Sequence, residues 1–498
     1  MRLDNKLLKQ FTCENYENIF NNLVDSKTDK YDNLIKLPMG VDGNDYKNIK
    51  KNFNLFSKSF CNRAIKGKYI FSPFREIQIP KAPYSKYEFS LAQSKGKLRT
   101  LAICTINDTI FQKMIYNAIY NYTENKYKSI SDSIYGYRKG KSVKQAIEKI
   151  KDYFNEGYIY GIDGDIEKYF DKINHQILYK KILLFYKNDP LVTKYLYRFM
   201  NSRRVSVENK KAVTKYYLEK PITERRDIGI PQGGVLSGLL ANLYLYNFDK
   251  YIINNLSKVY DIKYIRYADD FIILCKDKKI IQNLYKKVSS YFIREKLNLH
   301  PIDYSAITGE KPNKNKTKAI NLESQHYIEF LGYRISQNYL AIKKDNITKF
   351  KKTINHIIEQ GIKQKLDIEK IYYKINARIL GNWIYSKGYF VPCDKCGKPQ
   401  KPQSWIGFFI NITDMRQLKC LDRWIRGQLY HFFFIRYKVR LPKKYFRKSI
   451  NCRHNQFLNN NVVSLFKEAC YIKKYYVKHP DLTYCNCDVY NPIEFGYV

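Results

Sequence analysis

At 498 residues the chain far exceeds what one small hydrophobic core requires, so two or more packed units are expected. Its 89 Lys and Arg residues against 46 Asp and Glu residues give a formal net charge of +43, which no ordinary metabolic enzyme needs and which favours polyanionic partners. An AT-rich genome that enriches Lys, Asn, Ile and Tyr would account for part of this excess, and it would still leave the surface basic.

The sequence pattern gives no support for membrane insertion or secretion. No run of about eighteen apolar residues occurs, and the first residues lack the apolar stretch of a signal peptide. The 11 cysteines are mostly scattered along a long chain, which favours reduced thiols over a disulfide framework. We therefore expect a cytoplasmic protein without a membrane partner.

The N-terminal part of the chain predicts helices followed by a pair of strands. Residues 1–66 are rich in Lys and Asn and have weak helical periodicity, which predicts a small helical extension. Residues 77–81 and 97–103 alternate basic and apolar side chains, which predicts two strands flanking a polar loop.

The middle of the chain mixes both periodicities. The predicted helices are 108–121, 142–154 with Ser142 as a suitable N-cap, 176–186, 239–249 and 279–295. The predicted strands are 158–165, a hairpin formed by 264–266 and 271–274, and 328–333. Long basic helical patterns dominate from about residue 346 onward. This succession predicts an α+β block followed by a helical region.

Two adjacent carboxylates lie at the tip of the predicted hairpin. Residues 267–270, Tyr-Ala-Asp-Asp, separate its two short apolar runs. Because successive side chains on a strand point to opposite faces, a tight turn is one of the few places that can aim Asp269 and Asp270 at one spot. A solvated acidic turn is the alternative, since Asp is a common turn former. Asp165 ends another predicted strand and adds a third carboxylate if the two strands lie side by side.

Such a carboxylate cluster suits nucleic-acid polymerisation. Nucleotidyl transfer uses two divalent ions roughly 3.5–4 Å apart, one lowering the pKa of the primer hydroxyl and the other holding the triphosphate. Hard divalent ions prefer oxygen ligands. The spacing therefore predicts a metal-dependent polymerase centre.

Six motifs in chain order resemble those of bacterial reverse transcriptases of the group II intron-like lineage. They are the fingers strands at 79–81 and 97–99, Tyr-Gly-Tyr-Arg-Lys-Gly-Lys-Ser at 135–142, the first acidic motif at 164–171, the Pro-Gln-Gly motif at 229–237, the acidic turn at 267–270 and the primer grip at 330–333. One departure is Gly238, where the family commonly has Pro, and we expect it to loosen the start of the following helix without affecting the chemistry.

The resemblance implies an α+β right-hand polymerase. Its palm would be an antiparallel sheet with helices, flanked by fingers and a helical thumb. The implied domains are an N-terminal helical extension at 1–66, fingers and palm at 67–345, a maturase-like thumb at 346–440 and a C-terminal helical extension at 441–498.

The resemblance also assigns the metal centre. Asp165, Asp269 and Asp270 would be the catalytic, metal-binding residues, and Ile166 would belong to the same metal site. The implied cofactors are two Mg²⁺ ions, for which Mn²⁺ can substitute.

A second implied group binds the incoming nucleotide. Lys97 and Arg99 would hold the triphosphate through charge-assisted hydrogen bonds. Phe170 would lie under the sugar and exclude a 2′-hydroxyl, with core packing as its alternative role. Gln232 would lie near the nascent base pair, and Lys316, in a loop of three lysines, would protonate the leaving pyrophosphate.

A third implied group contacts template and primer. Arg138 would bind nucleic-acid phosphates, with helix capping as the alternative. Gly233 has no Cβ and would allow a close approach of backbone and template. The primer grip would be formed by Phe330, Leu331 and Gly332.

The C-terminal third carries weaker signals. Residues 381–390 and 421–429 resemble thumb helices of intron-encoded reverse transcriptases, and an ordinary helical core with basic faces is the alternative. Cys393 and Cys396 form a CxxC that looks like half of a Zn²⁺ site, with reduced structural cysteines as the alternative. The full Cys/His pattern of an intron homing endonuclease is missing from the sequence.

These features predict an RNA-directed DNA polymerase that copies an RNA template into a DNA product from deoxynucleoside triphosphates. From the resemblance we expect a cognate noncoding RNA as template and a role in bacterial antiphage defence. The alternative is a group II intron maturase, an RNA-binding splicing cofactor in which catalysis is secondary. A polymerase that incorporates ribonucleotides is a further alternative, and the sequence leaves the oligomeric state open.

Overall fold

The structure is a computed structural model that describes residues 2–25, 39–206, 223–381, 404–440, 450–451 and 462–478. The chain divides into two compact units. The first unit comprises Met1–Ile79, Arg99–Lys141 and Gly157–Ser324, and the second comprises Pro80–Leu98, Ser142–Glu156 and Gln325–Val498.

The described chain contains both strands and helices. The strands are β1 (Phe74–Pro80), β2 (Leu98–Ile103), β3 (Tyr160–Asp165), β4 (Arg204–Val205), β5 (Ile262–Tyr267), β6 (Asp270–Cys275), β7 (Ile302–Asp303), β8 (Thr317–Asn321), β9 (Ile328–Phe330), β10 (Tyr333–Ile335), β11 (Leu340–Ile342), β12 (Ile450–Asn451) and β13 (Val462–Val463). The helices are α1 (Leu3–Leu8), α2 (Cys13–Asp25), α3 (Tyr46–Lys51), α4 (Phe53–Ile65), α5 (Phe89–Ser94), α6 (Ile106–Lys126), α7 (Val143–Asn155), α8 (Tyr169–Lys172), α9 (His175–Tyr186), α10 (Pro190–Met200), α11 (Ser237–Tyr251), α12 (Ser257–Val259), α13 (Ile281–Arg294), α14 (Ser305–Thr308), α15 (Leu322–Gln325), α16 (Lys344–Lys363), α17 (Ile368–Leu380), α18 (Trp405–Phe408), α19 (Arg416–Tyr437) and α20 (Leu465–Lys478). Among the described residues, no helix is both long and apolar enough to cross a membrane.

A five-stranded sheet in the order β5-β6-β3-β8-β7 forms the centre of the first unit. Its neighbouring strands are antiparallel, except that β7 and β8 run parallel. β6 is buried from Phe271 to Cys275, which explains its continuous apolar run. Helix α13 contacts β3 and buries Leu284, Val288 and Phe292 at the four-residue spacing of a helix face. The sheet is therefore a rigid platform for the residues at its strand ends.

The helices predicted for residues 1–66 are present as α1 to α4. They bury aromatic side chains, and the ring of Phe60 lies 5.7 Å from that of Phe111 on α6 and 4.9 Å from that of Tyr16. Such ring pairs add to the energy of burial. The predicted boundary of this extension, like the other three domain boundaries, stays a prediction.

The second unit corrects two predictions of local structure. The predicted polar loop between β1 and β2 contains α5, because Ser85 and Glu88 form a capping box ahead of it. The predicted strand 328–333 is two strands, β9 and β10, since Leu331 (φ +46°) and Gly332 (φ +84°) adopt left-handed conformations and turn the chain back. β9, β10 and β11 form an antiparallel sheet, and the basic helical patterns predicted for this region are α16, α17, α19 and α20.

Candidate active site

Two neighbouring strands bring the predicted carboxylates together. β3 and β6 pair antiparallel, and their register sets the Cα of Asp165 opposite that of Asp270. β5 and β6 form a hairpin whose last pair is Tyr267 with Asp270, so that Ala268 and Asp269 make a two-residue turn. The expectation that the strands of Asp165 and of the acidic turn lie side by side is confirmed.

A glycine allows the two strands to pack closely beside this site. Gly164 is paired with Phe271, and a Cβ on Gly164 would collide with the ring carbons of Phe271. Without that Cβ, the aromatic ring covers β3 one residue before Asp165. The sequence Gly164-Asp165 therefore combines a packing requirement with a functional side chain.

Burial and neighbouring carboxylates raise the pKa of both aspartates of the turn. Burial raises the pKa of Asp269, and the charge of Asp165 raises it further, while Arg99 lowers it. The pKa of Asp270 is raised by its desolvation and by the charges of Asp269, Asp163 and Asp165. Asp270 is exposed at the start of β6, and the repulsion between carboxylates acts on it there at the solvent boundary. Adding positive charge at this edge would relieve that repulsion.

The donor set fits hard divalent cations in its chemistry. Three aspartates on neighbouring strand ends offer the oxygen-rich, anionic environment that Mg²⁺ prefers. Within the described ranges, no group of three or more His, Cys, Asp or Glu side chains is already arranged to hold a metal ion. Ile166 is apolar and 2% exposed, so only its main-chain carbonyl could serve as a ligand.

Lys316 and a histidine lie against the first aspartate. The Lys316 ammonium is 3.2 Å from Oδ2 of Asp165 and 3.0 Å from Nε2 of His300. The backbone N–H of His300 donates to the carbonyl of Asp165 at 3.0 Å, and its Nδ1 lies 3.6 Å from Oε1 of Glu167. Sequence analysis placed Lys316 at this site but missed His300, because a single histidine in a loop carries no spacing signal.

The Pro-Gln-Gly loop is anchored to strand β2. The backbone N–H of Ala102 donates to the carbonyl of Gln232 at 2.7 Å. Gly233 has a φ of +116°, and a Cβ there would lie 3.0 Å from the Ala102 carbonyl oxygen. The glycine thus accommodates a close approach to β2. Arg99 lies on the same strand, and its charge acts on both Asp269 and Asp270.

Phe170 links the first acidic motif to the same loop. Its side chain is 7% exposed and lies edge-on to Tyr137 at 6.0 Å, while its carbonyl accepts from the Ile230 N–H at 2.9 Å. Tyr137 also explains the departure at Gly238, since a Cβ on that residue would collide with the tyrosine ring. Helix α11 already starts at Ser237, so the glycine does not loosen the helix start as predicted.

Comparison with known protein families agrees with this geometry. The family described as "Reverse transcriptase (RNA-dependent DNA polymerase)" matches residues 79–335, just over half of the chain. The chain belongs to the reverse transcriptase family.

Curated relatives place this reverse transcriptase near proteins encoded by group II introns. It is 26% identical over 272 residues to Protein YkfC of Escherichia coli, covering 48% of this chain and 64% of YkfC. It is 23% identical over 472 residues to the group II intron-encoded protein LtrA of Lactococcus lactis, covering 81% of this chain and 68% of LtrA. The chain thus spans about two thirds of the length of these relatives, and its predicted resemblance to this lineage is confirmed.

A solved structure is also similar. Telomerase from Candida albicans, in complex with a fragment of telomeric RNA, aligns at a TM-score of 0.42 with 12% identity, over 81% of this chain and 61% of that one. The family match and the mixed helix-and-sheet architecture agree with the predicted α+β right-hand polymerase fold.

Arg138 of this reverse transcriptase has protein partners for its whole guanidinium. Its Nε donates to Glu124 at 2.9 Å, its Nη1 donates to the carbonyls of Ser131 and Ile134, and its side chain is 3% exposed. These contacts join α6 to the segment before α7. The carbonyls that Arg138 binds lie at the C-terminal end of the 3-10 helix Lys128–Ser133, so its contacts agree with the alternative of helix capping. The expected contact of Arg138 with nucleic-acid phosphates stays a prediction.

Four predicted residues belong to the second unit. Lys97 is exposed, and its carbonyl accepts from the Lys81 N–H at 2.8 Å. Phe330 is buried at the end of β9, and Leu331 and Gly332 form the turn into β10. Their roles in nucleotide and primer binding stay predictions.

Two predictions lie outside the described residues. Cys393 and Cys396, the proposed half of a Zn²⁺ site, fall in the undescribed stretch 382–403, as does most of the thumb-like segment 381–390. The other thumb-like segment, 421–429, lies within α19 and is helical as predicted.

Proposed function

We propose that the protein is an RNA-directed DNA polymerase that extends a primer along an RNA template with deoxynucleoside triphosphates. The observation that supports this most directly is the register of β3 and β6, which sets Asp165 opposite Asp270. Asp269 directly precedes Asp270, in the turn of the hairpin. Family membership supports the same activity.

In this proposal the three aspartates hold two Mg²⁺ ions, with Mn²⁺ able to substitute. When bound, these ions supply a more acidic primer 3′-hydroxyl and neutralise the triphosphate. The raised pKa values of Asp269 and Asp270 support the role, because close anionic side chains favour a cation among them. Ile166 would contribute through its carbonyl.

The surrounding residues bind the nucleotide. Arg99, whose charge already acts on the acidic turn, would contact the triphosphate together with Lys97. Lys316 would donate a proton to the leaving pyrophosphate once it is released from its ion pair with Asp165. Phe170, fixed between Tyr137 and the Pro-Gln-Gly loop, would exclude a 2′-hydroxyl.

Template and primer would contact the neighbouring loops. We assign the base pair being formed to Gln232 and Gly233, and the primer terminus to Phe330, Leu331 and Gly332. We further propose, from the resemblance, that the template is a cognate noncoding RNA and that the biological context is antiphage defence. Sequencing the nucleic acid that copurifies with the protein tests this part: one recurrent noncoding RNA supports it, and random cellular RNA contradicts it.

Primer extension tests the activity itself. Purified protein is given poly(rA)/oligo(dT) or a DNA template with Mg²⁺ and either deoxynucleotides or ribonucleotides. We expect DNA synthesis on the RNA template and a fall of at least 10²-fold for Asp269→Asn or Asp270→Asn, because each substitution removes a charge that the ions require. Asp261→Asn is the matched control, since Asp261 precedes β5 at the end opposite the acidic turn and accepts from the Tyr158 hydroxyl.

The outcomes separate the alternatives. DNA synthesis that is unaffected by Asp269→Asn and Asp270→Asn contradicts the proposal. Ribonucleotide incorporation in its place identifies an RNA polymerase. Stimulation of intron splicing without any DNA product identifies the maturase alternative.

A further inference from the structure

A fully buried arginine lies directly behind the acidic turn. Arg266 on β5 is 0% exposed, and its guanidinium faces Asp249 on α11, which is also 0% exposed. Nε donates to Asp249 Oδ1 at 2.7 Å and Nη2 donates to Oδ2 at 2.6 Å, so the pair is bidentate. The Tyr264 hydroxyl donates to the same carboxylate at 2.7 Å.

The third guanidinium nitrogen of Arg266, Nη1, contacts the turn itself. Nη1 donates to the carbonyl of Ala268 at 2.7 Å and to Oδ1 of Asn242 at 3.0 Å. Asn242 lies two turns before Asp249 on α11, so both side chains project from one face of that helix. The Asn242 amide also donates to the carbonyl of Gly136 at 2.9 Å. One side chain thus ties the turn to α11 and, through Asn242, to the segment before α7.

The turn needs such support because of its backbone. Ala268 has a φ of +60°, a left-handed conformation that favours glycine and is strained for other residues. Gly136 lies against it, and a Cβ there would collide with the Ala268 N–H nitrogen. The Tyr135 N–H donates to the carbonyl of Arg266 at 2.9 Å. The strained residue is therefore held from two directions.

Stability alone does not account for this arrangement. Replacing a buried ion pair by apolar side chains of similar volume is often neutral or stabilising. Apolar side chains cannot supply a hydrogen-bond donor to the carbonyl of Ala268, the residue that precedes Asp269. The specific consequence of the pair is thus the conformation of the turn.

We propose that Arg266, oriented by Asp249 and Asn242, is a positioning residue that fixes the left-handed turn at Ala268 and so aims the Asp269 and Asp270 carboxylates at their divalent cations. The inference rests on the proposed function of this site. It means that a polar network buried inside the protein, rather than residues that contact the nucleic acid, determines the geometry of the metal site.

The central test replaces the network by apolar side chains. In the full-length protein we combine Arg266→Met, Asp249→Leu and Tyr264→Phe, the last so that no hydroxyl loses its acceptor. We expect a Tm within a few degrees of that of the wild type and primer extension that is at least tenfold slower. Mn²⁺ binding should be at least tenfold weaker, as measured by a titration in which electron paramagnetic resonance detects free Mn²⁺. Mn²⁺ binding equal to that of the wild type overturns the inference.

A milder variant guards against failure to fold. Asn242→Ala keeps the Arg266–Asp249 pair but removes the acceptor that holds Nη1 toward the turn. We expect several-fold weaker Mn²⁺ binding in a protein that still unfolds cooperatively, and unchanged Mn²⁺ binding overturns the proposal.

A second buried ion pair provides the matched control. Lys181 on α9 pairs with Glu295 at 2.6 Å, and their side chains are 8% and 18% exposed. Lys181→Met combined with Glu295→Leu should leave Mn²⁺ binding within twofold of the wild type, and an equal loss of binding there contradicts a specific role for Arg266. If the wild type polymerises and all variants bind Mn²⁺ alike, this inference fails while the proposed function stands. If the wild type neither binds Mn²⁺ nor polymerises, the proposed function itself fails.

Discussion

Asp108 is a buried carboxyl group close to the start of α6. It is 2% exposed and accepts from the Tyr69 hydroxyl at 2.9 Å and from the Ser72 N–H at 3.1 Å. Burial raises the pKa of Asp108 from 3.8 to about 7, although these hydrogen bonds lower it. Because the folded state holds the proton more tightly than the unfolded chain, this group contributes stability that is full below about pH 4 and is lost as the pH rises to about 7.

We expect Asp108→Asn to remove this pH dependence. The free energy of unfolding of the wild type should fall relative to that of the variant between pH 4 and pH 7, and the difference should stay constant above pH 7. Urea denaturation at several pH values measures it. Hydrogen bonds lost in the variant shift its free energy of unfolding equally at each pH, so the test is the slope of that free energy against pH. Parallel curves for the two proteins from pH 4 to pH 7 contradict the prediction.

At the residue scale, sequence analysis reached the aspartates and missed what surrounds them. Asp269 and Asp270 could be predicted because turn chemistry and alternation are local signals. Gly136 and Arg266 could not, because their partners Ala268 and Asp249 become apparent only when distant segments pack together. Their residue types are compatible with many environments.

At the scale of single elements, helices α1 and α10 cap each other. The Asp189 carboxylate, just before α10, accepts from the Leu3 N–H at 2.6 Å and from the Asp4 N–H at 3.2 Å. The Asp4 carboxylate accepts from the N–H groups of Leu191 and Val192 at 3.0 Å each. Each aspartate thus satisfies N–H groups that the other helix leaves free at its start.

We expect Asp4→Ala and Asp189→Ala each to lower the free energy of unfolding by about 1–2 kcal/mol. The double variant should lose less than the sum, because either change already loosens the contact that both serve. Denaturant titrations of the four proteins give this coupling. Asp45→Ala, which removes the local cap of α3, should add independently to Asp4→Ala, and strict additivity of the first pair would be evidence against reciprocal capping.

Sequence analysis found elements better than it found their ends and breaks. The apolar stripe of α7 and its Ser142 cap were correct because both signals are local. The division between β9 and β10 was missed, since Leu331 is an apolar residue that the pattern assigns to a strand and only its left-handed backbone makes the turn. Turn formation there depends on tertiary contacts, such as the bond from the Lys343 N–H to the Gly332 carbonyl at 2.9 Å.

At the scale of the whole molecule, the net charge of +43 leads to a prediction about salt. Binding to nucleic acid releases condensed counterions, so the logarithm of affinity should fall linearly with the logarithm of salt concentration. For an RNA–DNA hybrid we expect a slope of about −5, which corresponds to roughly six neutralised phosphates. Fluorescence anisotropy between 50 and 200 mM salt measures the slope. A hybrid that binds with a flat salt dependence contradicts the prediction, and an uncharged peptide nucleic acid of the same sequence is the control.

The two units of the fold are interleaved along the chain. The second unit takes Pro80–Leu98 and Ser142–Glu156 from within the span of the first. No single break in the backbone can therefore separate them. Both of these segments of the second unit emerge from the ribosome well before Gln325, where the longest stretch of that unit begins. During synthesis these segments remain without most of their unit, so the second unit is completed only after the stretch that begins at Gln325 has been made.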